Sequence, residues 1–167
     1  MDAATGELVR QRAGNLCEYC HLPQVFSGLR FHIEHIVPRQ HGGTDDPGNL
    51  ALACPECNLR TGTNLTGIDP DTRQVTPLFH PRRGRWSDHF TLVDGSIVGR
   101  TSAGRTTARL LEMNTGDRLQ LRQRLIGRDC STNRMTAWGR WASSDVPERG
   151  NQLTKLAHRP QGPPQGP

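Results

Sequence analysis

Four cysteines and one short polar strand carry the residue types that can do chemistry in this chain. Cys17-Glu18-Tyr19-Cys20 and Cys54-Pro55-Glu56-Cys57 are two Cys-x-x-Cys pairs with 33 residues between them. Zinc takes four soft ligands in a tetrahedron, and each pair supplies two thiolates from one tight turn. The alternative is a redox Cys-x-x-Cys, which needs a single pair in a thioredoxin-like βαβ setting. A closed Cys₄ site has no open coordination position, so the expected zinc is structural and contributes folding energy directly. Cys130 is left over and reads as an isolated thiol. Between the two pairs runs Phe31-His32-Ile33-Glu34-His35-Ile36-Val37-Pro38. Two histidines and a carboxylate within four residues are too polar for a purely structural strand, and the alternative is a solvated strand face.

The elements that must position these groups are short. Residues 5–14 read as a helix capped by Thr5 and ended by Gly14. Gln24–Phe26 should lead through Ser27-Gly28 into a second strand, Leu29–Val37, stopped by Pro38. Residues 39–48 are a loop by composition, and Leu50–Ala53 is a short apolar, buried strand. Pro55 suits the first position of a helix and Glu56 its positive end, with Gly62 as terminator. Strict alternation would put His32 and Glu34 on one face of the strand and His35 on the other. For Glu34 and His35 to converge, the strand must bend or end near them.

The order Cys-Glu-Tyr-Cys, Ile-Glu-His-Ile-Val-Pro, Gly-Gly-Thr-Asp-Asp-Pro-Gly-Asn-Leu, Cys-Pro-Glu-Cys-Asn resembles the HNH endonuclease family, the ββα-metal (His-Me finger) nucleases. The resemblance covers Ala13 to about Leu65, and the spacings of 14 residues from His35 to Asn49 and 23 to Asn58 agree with it. It implies that His35 is the general base, Glu34 an acidic metal ligand, Asn49 the residue that ties the loop together, and Asn58 a ligand carried on the helix. It also implies cleavage that leaves a 5′-phosphate. Physical chemistry agrees with these roles. A phosphodiester repels hydroxide, so its hydrolysis needs a cation and a base. Histidine, with an ordinary pKa of about 6.5, is a suitable base at neutral pH. A carboxylate and an amide carbonyl are hard ligands that suit Mg²⁺ or Mn²⁺. His32 is a further candidate ligand or phosphate contact. Family members often carry Lys where Thr61 stands here, with Arg60 just before it as a possible replacement. Residues 77–90 resemble an extension seen in a bacterial subgroup of HNH proteins. Their Arg82, Arg83 and Arg85, with Arg60, are the candidate substrate contacts, read against the alternative of a solvated arginine-rich surface.

The second half contains a strong hairpin signal, Asp94-Gly95 between Phe90–Val93 and Ser96–Arg100. Residues 103–113 and 116–127 read as two helices, the second capped by Asn114. Residues 143–167 are polar and proline-rich and read as a flexible tail. In 167 residues, 33% are hydrophobic and 5% aromatic, with 18 Gly and 12 Pro, so a single large apolar core is not expected. No apolar run is long enough to span a membrane, and residues 1–12 lack the apolar stretch of a secretory signal. Cysteines without an export signal point to a reducing, cytoplasmic setting. A net charge of +5 favours polyanionic partners. The sequence thus predicts an α+β protein: a zinc-stapled ββα-metal nuclease domain over 1–67, a small extension over 68–142, and the tail. The expected substrate is nucleic acid, DNA first. The rival reading is a zinc-ribbon module that binds nucleic acid without cutting it.

Overall fold

The computed structural model describes residues 1–132, with side chains through residue 126. The expectation for the Cys130 thiol falls on a side chain outside those described, and the 143–167 tail lies outside the described residues. Helix α1 (Ala3–Arg12) opens the chain. Its cap is Asp2, whose carboxylate accepts from the Thr5 amide at 2.7 Å, so the helix starts before the predicted Thr5. Strand β1 (His32–His35) pairs antiparallel with β2 (Leu50–Ala53), matching Glu34 to Ala51 and His35 to Leu50. Helix α2 (Pro55–Thr61) follows at once, with Cys54 as its cap, Pro55 in the first turn and Gly62 closing it, as the sequence predicts.

The predicted hairpin before β1 is absent. Gln24–Phe26 is a single 3₁₀ turn, because the Gln24 side chain replaces the ladder. Its Nε2 donates to the Leu29 carbonyl at 2.8 Å and its Oε1 accepts from the Phe31 amide at 2.7 Å. A side chain that satisfies two backbone groups removes the reason for those residues to pair as a strand. β1 is therefore four residues long and ends at His35, well before Pro38.

Beyond α2 come β3 (Thr66–Ile68) and β4 (Val75–Pro77), joined by a turn that starts at Asp69. Then follow α3 (Trp86–His89), the hairpin β5 (Phe90–Val93) and β6 (Ser96–Gly99), α4 (Ser102–Leu110) and α5 (Gly116–Thr132). Asp94 and Gly95 both take the left-handed conformation, as a two-residue hairpin loop with right-handed strand twist requires. Asn114 does not cap α5. Its amide reads both backbone groups of Ile97, donating to the carbonyl at 2.8 Å and accepting from the amide at 2.9 Å.

One apolar cluster runs through both halves. Val9, Tyr19, Phe31, Leu50 and Leu52 from the first half meet Phe79, Phe90, Ile97, Leu111 and Met113 from the second. The extension also grips the cysteine turns with polar groups. Trp86 donates its indole N–H to the Tyr19 carbonyl at 2.8 Å and stacks on His21 at 4.3 Å. Two buried arginines of α5 complete the join. Arg122 donates to the carbonyls of Gly95 and Met113 at 2.6 and 2.7 Å, and Arg118 reaches the cysteines. Among the described residues no helix is long and apolar enough to cross a membrane.

Candidate functional site

Cys17 and Cys20 sit in the turn after α1, and Cys54 and Cys57 at the start of α2. All four are buried, and their sulfurs lie within 4.8 Å of one another. Cys20 Sγ and Cys54 Sγ are 3.8 Å apart. A tetrahedron of Zn–S bonds of about 2.3 Å has sulfur–sulfur edges of about 3.8 Å, so the donor set fits zinc in number, softness and spacing. Burial pushes the Cys17 and Cys57 thiols up, while hydrogen bonds from Cys17, Cys54 and Cys57 hold the Cys20 thiol well below its ordinary range. Arg118 donates from one guanidinium nitrogen to Cys57 Sγ at 2.9 Å and from the other to the Leu111 carbonyl at 2.7 Å. A buried cation beside the sulfurs offsets the negative charge that four thiolates around a divalent ion leave behind.

Of the other candidate site residues, Glu34 and His35 lie at the end of β1. Glu34 is buried beneath the first cysteine turn, where the Tyr19 phenol bonds to its carboxyl. Its Oε1 is buried with no hydrogen-bond partner. Burial pushes the Glu34 pKa up to about 7. An orphaned carboxylate oxygen is what a hard divalent cation would satisfy, and the acidic donor suits Mg²⁺ or Mn²⁺. Asn58 is half-buried on α2, which packs against both β1 and β2. His35 points the other way, toward the loop, as strand alternation requires, with its ring Nε2 2.7 Å from Asp45 Oδ1. The strand ends at His35, so the two side chains flank a strand terminus.

Asn49 holds the loop shut. Its side chain accepts from the Val37 amide at 2.9 Å and donates to the Val37 and Thr44 carbonyls at 3.0 Å each. The two glycines of the loop are demanded by this closure. Gly42 is left-handed at φ 82°, and a Cβ on Gly43 would sit 1.6 Å from the Val37 carbonyl oxygen and 2.8 Å from Asn49 Nδ2. From below, Arg12 donates to the carbonyls of Pro47 and Leu50, both at 2.9 Å.

The candidate substrate contacts divide into two groups. Arg60 is spent on an ion pair with Glu112 at 2.7 Å, and Arg82 is paired with Glu18. Glu18 in turn accepts from the Leu52 amide, so Arg82 braces the sheet. Arg83 and Arg85 are exposed, with no ion pair among the described residues. His32 is exposed and makes no side-chain hydrogen bond among the described residues. Thr61, where Lys is common, turns its hydroxyl back onto the Cys57 carbonyl at 2.7 Å. Sequence reading gave no role to Tyr19, Asp45 or Arg118. Asp45 stood in the quoted Gly-Gly-Thr-Asp pattern, and that was its only signal.

Residues 17–64 match the model of the HNH endonuclease family. A stretch of 119 residues is 26% identical to the Septu protein PtuB of Bacillus thuringiensis, covering 70% of this chain. That stretch is longer than the 17–64 segment, so the likeness includes residues outside it. The chain spans less than half of that relative, the match covering 44% of its length. Residues 17–64, which hold the two cysteine turns, the β1–β2 pair and α2, are thus similar to an HNH endonuclease domain.

Proposed function

We propose that this protein is a metal-dependent HNH endonuclease that hydrolyses phosphodiester bonds in nucleic acid, with DNA as the first substrate to test. The observation that carries the reading is the pair at the end of β1: a buried carboxylate with an orphaned oxygen, next in sequence to a half-exposed histidine. A divalent ion held by Glu34 and Asn58 would supply Lewis-acid stabilisation of charge on the scissile phosphate and leaving oxygen. His35 takes the proton from the attacking water. Asn49 keeps the loop closed around it. Arg83 and Arg85 are the proposed backbone contacts, salt-dependent and blind to sequence. Cys17, Cys20, Cys54 and Cys57 hold a structural zinc, for which elemental analysis should find about one ion per folded chain.

The test is single-turnover cleavage of supercoiled plasmid DNA against Mn²⁺ concentration. Wild-type cutting should stop in EDTA and return with Mg²⁺ or Mn²⁺. His35→Ala should plateau roughly 10²–10⁴-fold lower with an unchanged Mn²⁺ midpoint, the usual worth of a general base. Glu34→Ala and Asn58→Ala should shift the midpoint upward and recover in part at high Mn²⁺. Near-wild-type rates in a folded His35→Ala would overturn the mechanism. Binding of DNA without cutting by the wild type would favour the zinc-ribbon reading.

A further inference from the structure

We propose that Asp45 is the positioning residue for His35, binding the ring through Nε2–H and leaving Nδ1 as the nitrogen that accepts the proton from water. The inference rests on the nuclease reading of His35 and adds to it the tautomer and the group that sets it.

The geometry is direct. His35 Nε2 lies 2.7 Å from Asp45 Oδ1. An ionised carboxylate can only accept, so the nitrogen facing it must carry the proton. Asp45 is ionised, because the Met1 amino group, His35 and Arg39 hold its carboxyl well below the usual range. One Arg39 nitrogen donates to both Asp45 oxygens, at 2.6 and 2.8 Å. With the proton on Nε2, a neutral ring presents its lone pair at Nδ1. Among the described residues Nδ1 has no hydrogen-bond partner, and the side chain keeps 23% of its surface exposed, so water can reach it.

The loop is built to hold this contact. Asn49 anchors the Thr44 carbonyl, one residue before Asp45, and Gly43 lets the chain pass against Val37. The support that the central Asn gives the base thus runs through Asp45: Asn49 sets Thr44, Thr44 sets Asp45, and Asp45 sets the imidazole. This is the base–orienter arrangement of an acid–histidine pair, in which the acid fixes ring orientation and tautomer without itself taking the proton.

The test combines a spectroscopic readout with kinetics on the full chain. In long-range ¹H–¹⁵N spectra taken at rising pH until the His35 ring no longer carries two protons, the remaining proton should sit on Nε2. That proton should give a low-field, slowly exchanging signal, assigned by its loss in His35→Gln. Asp45→Ala should lose the low-field signal. It should also lower the Mn²⁺-saturated cleavage plateau by tenfold or more, with the Mn²⁺ midpoint and melting temperature close to wild type. Asp45→Asn, which keeps the side-chain shape, serves if Asp45→Ala does not fold, with the same loss of plateau expected. A wild-type ring protonated at Nδ1 would overturn the proposal, as would a folded Asp45 variant with wild-type plateau. If the wild type does not cleave at all, the nuclease reading fails, while the spectra still decide whether Asp45 sets the tautomer.

Discussion

Replacing Arg118 by Met tests whether the extension is part of the metal centre. The guanidinium is almost fully covered, and it donates to Cys57 Sγ at 2.9 Å and to the Leu111 carbonyl at 2.7 Å. Hydrogen bonds to charged groups contribute about 1.5–3 kcal/mol each, and removing one member of a buried charged pair costs about 3–5 kcal/mol. Two features set the loss at the low end. Met fills much of the same volume, and Arg118 Nε is itself buried without a partner, so its desolvation cost disappears with it. A loss of about 3 kcal/mol is expected, which in a chain of this size lowers the melting temperature by roughly 10 °C. The assay is thermal melting of metal-loaded protein, with a chromogenic chelator reporting metal release during the ramp. Arg83→Met is the control, since an exposed arginine without an ion pair should change stability by about 0.5 kcal/mol or less. Melting of Arg118→Met within about 3 °C of wild type, with metal retained equally well, would refute the view that α5 seals the centre.

Two further outcomes follow from single contacts. Arg105 grips Asp69 through two bonds, at 2.9 and 2.6 Å, and this lowers the Asp69 pKa to about 2. The folded state then binds fewer protons than the unfolded one between about pH 4 and 2, so this contribution is present above that window and is lost as pH falls through it. Urea midpoints of wild type minus Asp69→Asn, measured from pH 5 to 2, should shrink with acid, and a constant difference would count against the clamp. Gly43→Ala forces a Cβ into the Val37 carbonyl, so the loop must shift at a cost of about 1–3 kcal/mol and Asn49 loses its grip. The plasmid cleavage plateau should fall along with the melting temperature; an unchanged plateau would mean that loop closure does not matter to the site.

Much of the site was legible because its residues are tied to local geometry. Cys-x-x-Cys turns, Pro55 at a helix start and Asp94-Gly95 in a hairpin each demand one backbone shape, and the chain takes it. Misread positions are those where one side chain competes with the backbone. Gln24 cancels a strand, Asp2 starts a helix early, and Asn114 serves Ile97 instead of α5. The three-residue strands β3 and β4 are too short to show a period. Arginine was the least legible type. Arg60, Arg82, Arg118 and Arg122 look alike in the sequence as solvated cations, yet each is engaged by a partner far along the chain. Nothing local distinguishes them from Arg83.

The Arg118 contact also imposes an order on synthesis. Arg118 follows Cys57 by 61 residues. At about 5–20 residues per second, the ribosome needs roughly 3–12 s to make that stretch. Throughout that interval all four cysteines have been made and the helix that covers them has not. A nascent chain that captures its ion in those seconds does so from open solvent, with thiols equally open to oxidants. A chain that misses the interval must take up its ion with Arg118 already bonded to Cys57 Sγ.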